Sequence, residues 1–152
     1  MSEAAPKRSH QRKIRKYALD LLFAADLRQV SVAAVLANYA ELNQAPPPAK
    51  AVDLAEGVAD HVEDIDDALA ASLMPGWSID RMPTVDRNLA RLACYEMMYH
   101  AVAPAVAISE AVGLAEELST EASAGFLRGA LRGVATGLEP DADWEGDEDD
   151  DS

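Results

Sequence analysis

The sequence has one cysteine, Cys94, and few aromatic residues: two tryptophans, four tyrosines and two phenylalanines among 152 residues. A single cysteine excludes an internal disulfide framework and fits a reducing compartment. No segment approaches the roughly 20 apolar residues of a membrane-spanning helix, and the basic N-terminus lacks the apolar region of a signal peptide. We therefore expect a cytoplasmic protein without a membrane segment, with a core of helices packed on small side chains.

Motifs for catalysis and for cofactor binding are also missing. The sequence contains no P-loop, no GxGxxG, no CxxC, no HExxH and no nucleophile elbow. The three histidines, His10, His61 and His100, fall on different predicted elements. The acidic stretch 141–146 resembles the start of a calcium-binding loop, but its twelfth position is Ser152 instead of glutamate. We expect no enzymatic activity, no metal site and no cofactor.

Charge is distributed unevenly along the chain, although the formal net charge is −14. Residues 1–16 contain six basic residues and one acidic residue, whereas residues 139–151 contain nine acidic residues and no basic one. A chain polarised in this way can offer a cationic surface to a polyanion in spite of its acidic isoelectric point. We predict a disordered acidic tail at 139–152, which either keeps the protein soluble or folds back on the basic helix and competes with nucleic acid.

Apolar residues recur at spacings of three and four, which is typical of amphipathic helices. The pattern predicts an all-α protein of about seven helices, over residues 10–28, 31–43, 49–73, 83–100, 105–118 and 124–138 with a short turn at 79–82. Ser31, Thr84 and Ser123 are the predicted N-caps of three of these helices. The segment Met74–Trp77 separates two helical halves, 10–73 and 77–138, and residues 1–9 are predicted to be disordered.

The segment Pro83–His100 is predicted to form the central helix of the fold. Glu96 lies near the middle of its apolar stripe when each residue is rotated by about 100° from the last. An unpaired carboxylate in such a position would cost several kcal/mol. We interpret Glu96 as a group that caps backbone N–H groups of a neighbouring helix, because no second acid, histidine or nucleophile accompanies it for catalysis.

The first predicted helix carries basic residues together with large apolar ones. Its apolar stripe consists of Ile14, Tyr17, Ala18, Leu21, Ala24 and Ala25. Arg12, Arg15 and Lys16 lie on the other side, and Leu19 and Phe23 sit among them. One interpretation is that a second layer of helices covers the two apolar side chains. The other is a nucleic-acid surface, in which the basic side chains bind phosphates and the ring of Phe23 stacks on a nucleobase.

Glycines recur at every fourth position of the last predicted helix, at 125, 129, 133 and 137. Each glycine inside a helix costs about 1 kcal/mol relative to alanine. A helix with four glycines is therefore expected to be stabilised by a contact that needs the absence of side chains. We therefore predict that another helix packs closely against this glycine ridge.

Four segments resemble, in order, the sequence pattern of the NusB family. They are RKIRKYALDLLF at 12–23, Trp77 with RMPTVDRNLARLACYE at 81–96, VAISEAVGLA at 106–115 and FLRGAL at 126–131. The resemblance implies an all-helical fold of two small bundles and transcription antitermination without enzymatic activity. It also implies binding of boxA RNA from rRNA operon leaders together with NusE, a small-subunit ribosomal protein, within the RNA polymerase antitermination complex.

The resemblance implies functional residues as well. The RNA-binding set, taken with neighbouring bases, is Arg8, Arg12, Lys13, Arg15, Lys16, Phe23, Phe126 and Arg128. Asp86 matches an acidic position associated with NusE docking. Arg128 replaces an asparagine of the family and adds a phosphate-binding group, whereas Glu116 replaces a common lysine and removes a base. The alternative function is a helical protein-interaction adaptor that has lost RNA recognition.

Overall fold

The computed structural model describes residues 4–139, with side chains from His10 onward. These residues form seven α-helices: α1 Ala4–Arg28, α2 Val32–Glu41, α3 Ala49–Asp60, α4 Val62–Ser72, α5 Thr84–Tyr99, α6 Pro104–Leu118 and α7 Glu121–Gly137. A 3₁₀ turn, Ile79–Arg81, precedes α5, and no strand occurs within residues 4–139. The predicted all-α class is confirmed. None of the described helices is long and apolar enough to cross a membrane.

The first helix begins earlier than predicted, at Ala4 instead of residue 10. Pro6 falls in its first turn, where a helix requires no backbone N–H from the residue, so proline does not interrupt it. The disorder predicted for residues 1–9 is therefore wrong from Ala4 onward. The same prediction for residues 1–3 and that for residues 140–152 lie outside the described residues.

Two further boundaries differ from the prediction. The long helix predicted over 49–73 is broken at His61, whose backbone leaves helical geometry at φ −118° and ψ 20°. The ring of His61 stacks on that of Tyr99 with centroids 3.9 Å apart, and this contact holds the bend in place. The cap of α7 is Thr120 instead of Ser123, because Thr120 Oγ1 accepts a hydrogen bond from the N–H of Ser123 at 2.9 Å.

The central position predicted for the segment Pro83–His100 is confirmed by α5. This helix packs with α1 and α3 in one bundle and with α4, α6 and α7 in the other, while α2 packs on α1. The two bundles therefore share α5. The predicted boundary at Met74–Trp77 is too late in the chain, because α4 packs on α5 and α7. Thr84 is the first residue of α5 and not its cap, and no side chain caps this helix.

The glycine ridge of α7 does not meet another helix along its length. A Cβ at Gly133 would lie 3.0 Å from the Cβ of Ser72 on α4. No heavy atom of the described residues, apart from the helix's own neighbouring backbone, comes within 4 Å of a Cβ built at Gly125, Gly129 or Gly137. Four residues turn a helix by about 400°, so successive glycines drift by about 40° and cannot all face one neighbour. The predicted close contact is found only at Gly133.

Arg15 of α1 and Glu96 of α5 form an ion pair inside the core. Arg15 Nε donates to both carboxylate oxygens of Glu96, at 3.0 and 3.1 Å, and Nη2 lies 2.9 Å from Oε2. The two side chains are only 8% and 4% exposed. The predicted role of Glu96 as a cap of backbone N–H groups is therefore wrong, because its carboxylate binds a guanidinium. Periodicity places Glu96 in the core but does not identify a partner 81 residues away in sequence.

A second polar cluster joins α1 to α5 and α4. Asp26 Oδ2 accepts hydrogen bonds from Arg87 Nε and Asn88 Nδ2, both at 2.9 Å. Arg91 Nη1 lies 3.6 Å from the same oxygen, and Arg91 Nη2 lies 2.8 Å from Oδ2 of Asp66 on α4. Burial favours the protonated form of Asp26. The hydrogen bonds from Arg87 and Asn88 outweigh burial and hold the pKa of Asp26 below its ordinary value.

We expect Glu96→Leu to lower the free energy of unfolding by about 3–5 kcal/mol, because it leaves the buried Arg15 without a counter-charge. Adding Arg15→Met should recover most of this loss, since replacing both partners of a buried ion pair with apolar side chains is often neutral. Urea denaturation measures these energies. Glu117→Gln, which removes an exposed ionic partner, is the control and should leave the midpoint almost unchanged. A Glu96→Leu protein as stable as wild type would contradict this role of the pair.

The Asp26 cluster should make stability depend on acid pH. Because the pKa of Asp26 is lower in the folded state, its stabilisation is complete above the unfolded pKa near about 4 and is lost as pH falls through the folded pKa. Asp26→Asn should destabilise the protein by about 2 kcal/mol at neutral pH and by much less at about pH 2. Thermal denaturation at several pH values measures this difference, with Asp53→Asn on the exposed face of α3 as the control. Equal destabilisation at both pH values would refute the assignment.

Candidate nucleic-acid interface

Two of the basic residues of α1 that the sequence predicts as RNA ligands, Arg12 and Lys16, each lie opposite a carboxylate of α6. Arg12 Nε lies 2.8 Å from Glu110 Oε1, and Lys16 Nζ lies 2.6 Å from Glu117 Oε2. We call these four residues the α1–α6 ion-pair row. Glu110 and Glu117 were not identified as partners from the sequence. The available signal was their spacing of seven residues, which places both on one face of a helix.

Arg15 is not part of the surface. Its side chain is 8% exposed and is held by Glu96, while its Nη1 lies 3.9 Å from Glu110 Oε1. Turning this guanidinium toward an RNA phosphate would leave Glu96 buried without a counter-charge, at a cost of several kcal/mol. The structure thus holds Arg15 against Glu96 instead of presenting it on the outer face of α1, and in this arrangement the residue serves the fold.

Arg12 lies flat against α6 because a glycine leaves room for it. A Cβ at Gly113 would lie 2.6 Å from Arg12 Nη2 and 2.8 Å from Nη1, which is closer than van der Waals contact allows. The side chain of Arg12 remains 34% exposed beside Glu110. The hydrogen bond to Glu110, only partly opposed by burial, raises the pKa of Arg12. The guanidinium is therefore always charged and is oriented along α6.

The Lys16–Glu117 pair is open to water. The two side chains are 41% and 45% exposed. The hydrogen bond from Lys16 lowers the pKa of Glu117, and the charge of Lys16 acts in the same direction. Glu117 is thus ionised at neutral pH. Because solvent and salt screen such a pair, its partners can separate at little cost.

The remaining predicted residues of α1 differ in exposure. Lys13 is exposed and forms no ion pair with the described part of the chain. Phe23 is half-buried, which leaves part of its ring accessible. Leu19 is 2% exposed, so other helices cover it, as one of the two interpretations predicts. Tyr17, expected in the apolar stripe, is 40% exposed on the outer side of α1. The side chain of Arg8 lies outside the described residues.

A second group of candidate residues lies at the start of α7. The ring of Phe126 packs against that of Trp77, with centroids 5.2 Å apart and planes inclined by 40°. Phe126 is half-buried against the core, whereas Trp77 is 53% exposed. Arg128, two residues further along α7 and therefore rotated by about 200° from Phe126, is exposed. The two rings offer a stacking surface, and Arg128 offers a cation on another side of α7.

Asp86, expected to contact a partner protein, is not on the surface. It is the third residue of α5 and is 2% exposed. Its Oδ1 is buried without a hydrogen-bond partner among residues 4–139. A carboxylate in this position cannot touch another protein while α5 keeps its present packing. The direct contact predicted for Asp86 stays a prediction, and it would require this carboxylate to become exposed.

The described residues show no arrangement suited to catalysis by a thiol or a metal. Burial raises the pKa of the Cys94 thiol to about 12, so the thiol stays protonated and is a poor nucleophile. Between residues 4 and 139, no group of three or more histidine, cysteine, aspartate or glutamate side chains is placed to hold a metal ion. What α1, Trp77 and α7 do present is a set of cations and rings, which is chemistry for binding.

The sequence is similar to known proteins along most of its length. A family model described as the NusB family matches residues 12–136. The transcription antitermination protein NusB of Salinispora arenicola is 52% identical over 92 residues, which cover 59% of this chain and 67% of that protein. The protein of the same name from Acidothermus cellulolyticus is 47% identical over 92 residues, covering 60% of this chain and 63% of that protein.

Solved structures share the fold. NusB of T. maritima matches with a TM-score of 0.72 at 28% identity, covering 88% of this chain and 96% of the other. A crystal structure of the antitermination factors NusB and NusE in complex with double-stranded RNA contains a chain that matches with a TM-score of 0.73 at 25% identity. That match covers 86% of this chain and 98% of the other. Since the family match extends from the basic part of α1 almost to the end of α7, the chain belongs to the NusB family.

Proposed function

We propose that this chain is a transcription antitermination factor that binds boxA RNA of rRNA operon leaders together with NusE and promotes read-through by RNA polymerase. Relatives with about half of their aligned residues identical are antitermination proteins. A chain with the same fold occurs in a complex of NusB, NusE and RNA. The protein acts by binding and is not an enzyme, and it works in the cytoplasm, where transcription takes place. The family match over residues 12–136 is the observation that carries the proposal.

The RNA-binding surface that we propose has two parts. On α1 it consists of Lys13, Arg12, Lys16 and the accessible part of Phe23; on α7 it consists of Phe126 and Arg128. The α6 helix packs against α7 and bears the carboxylates that pair with α1, so it lies between the two parts. Cations hold phosphates and rings stack on bases, which suits an unpaired stretch of RNA.

One observation favours the alternative, a protein-interaction adaptor that has lost RNA recognition. Arg12 and Lys16 are already paired with carboxylates of α6.

A gel shift with boxA RNA, with and without NusE, tests the two functions on the full chain and on a chain that lacks residues 139–152. Binding that NusE strengthens supports antitermination. Negligible binding by both chains, in the presence of NusE as well, supports the adaptor.

We expect Lys13→Ala to weaken RNA binding and to reduce its salt dependence. Lys13 is an exposed base with no partner in the described residues, and one lost phosphate contact should lower the slope of log affinity against log salt by about 0.7. Fluorescence anisotropy with labelled boxA RNA at several salt concentrations measures the slope. Arg28→Ala, at the opposite end of the same helix, is the control. An unchanged slope would remove Lys13 from the interface.

We expect Phe23→Ala to weaken RNA binding by about 1–3 kcal/mol if a base stacks on the accessible part of its ring. The salt slope should stay constant, because stacking releases no counterions. Tyr17→Ala removes a more exposed ring from the outer side of the same helix and should change the affinity less. The same anisotropy titration measures all three proteins. Equal losses for the two variants would show that Phe23 is not a specific stacking position.

A further inference from the structure

The α1–α6 ion-pair row places carboxylates where an RNA-binding protein would place phosphates. Glu117 holds the ammonium of Lys16 at 2.6 Å, and Glu110 holds the guanidinium of Arg12 at 2.8 Å. A carboxylate and a phosphate accept the same charge-assisted hydrogen bonds from these groups. Each carboxylate takes one N–H donor and neutralises the positive charge of its partner, although other N–H groups of Lys16 and Arg12 remain. The two acids of α6 and an RNA backbone therefore compete for the charge of the same two cations.

We propose that Glu117 and Glu110 set the RNA affinity of this protein by neutralising Lys16 and Arg12, so that a phosphate gains the full charge of either cation only by displacing its carboxylate. The inference rests on the proposed RNA-binding function and names positioning residues on α6, which do not touch RNA themselves. Each exchange breaks one ion pair and forms another. The net gain from these two cations is therefore smaller than the gain from a cation without an internal partner, such as Lys13.

The two pairs differ in how easily they exchange. Lys16 and Glu117 are both more than two-fifths exposed, at 41% and 45%, so water can solvate the released carboxylate. Glu110 is only 12% exposed, so its release from Arg12 costs more. Gly113 strengthens the contact of Arg12 with α6, because it allows the guanidinium to lie against the helix. Lys16 should therefore exchange its carboxylate for a phosphate more readily than Arg12.

The first test compares Glu117→Gln with Glu116→Gln. Both remove one negative charge from exposed, adjacent positions of α6, but Glu116 holds no base within the described residues. Anisotropy titrations with labelled boxA RNA at low salt should show roughly two- to fivefold tighter binding for Glu117→Gln than for Glu116→Gln. The difference in affinity between the two variants should become smaller as the salt concentration rises, because salt screens the Lys16–Glu117 ion pair. Equal affinities of the two variants would overturn the proposal.

A double-mutant cycle identifies the group through which Glu117 acts. In a Lys16→Ala background there is no ammonium to release, so Glu117→Gln and Glu116→Gln should bind boxA RNA equally well. A purely structural effect of residue 117, or a general effect of its charge, would persist without Lys16. Persistence of the full difference in this background would refute the exchange mechanism. Thermal denaturation of all variants checks that they are folded.

The claim that Glu110 restrains Arg12 can be tested with a substitution that leaves the charge of the protein unchanged. Gly113→Ala places a Cβ against the guanidinium and should push Arg12 away from α6. We expect tighter binding of labelled boxA RNA, whereas Gly137→Ala, where a Cβ meets open space, should have no effect. Unchanged or weaker binding by Gly113→Ala would contradict the role assigned to Glu110.

Failure of the inference and failure of the proposed function give different results. A wild-type protein that binds boxA RNA, with variants Glu117→Gln and Glu116→Gln of equal affinity, retains the proposed function and loses the exchange mechanism. A protein that binds no boxA RNA, with NusE present and with either glutamate replaced, loses both. The titrations use the full chain throughout, so the acidic tail is the same in every protein that is compared.

Discussion

The buried ion pair between Arg15 and Glu96 fixes the rotation of α1 about its own axis. Arg15 must point at α5, because a charge left unpaired in the core costs several kcal/mol. With about 100° per residue, Arg12 then lies about 60° and Lys16 about 100° from Arg15, toward α6, while Lys13 lies about 160° away and faces solvent. One interior contact therefore determines which basic residues of α1 face the solvent and which form ion pairs with α6.

This geometry divides the bases of α1 among different tasks. Arg15 serves folding, Arg12 and Lys16 are held by α6, and Lys13 is exposed. RNA of any sequence supplies phosphates, so a row of unpaired cations would bind RNA without selection. Carboxylates on α6 weaken that contribution equally for every RNA. In the proposed mode of binding, discrimination depends on the nucleobases of the RNA, for which Phe23 and Phe126 are the proposed stacking partners.

The helices could be predicted because each buries one apolar stripe, and a stripe is a property of the local sequence. Their partners could not, because periodicity gives the face that a residue occupies and not what lies opposite. Glu96 illustrates both: its burial follows from its place in the stripe, whereas its contact with Arg15 depends on how two distant helices dock. The break at His61 was missed for the same reason, since its ring is held by Tyr99 of another helix.

Asp86 shows that a matching residue type in a related sequence does not by itself establish the same role in this chain. As the third residue of α5, its carboxylate lies at the positive end of the helix dipole, which stabilises an acid there whether or not a partner protein exists. Its Oδ1 is buried without a hydrogen-bond partner in the described part of the chain. A contact with another protein would require α5 to loosen at its start, which would expose the neighbouring core. In this chain Asp86 therefore lies at the start of the central helix, and a surface that docks another protein must consist of side chains that reach the solvent.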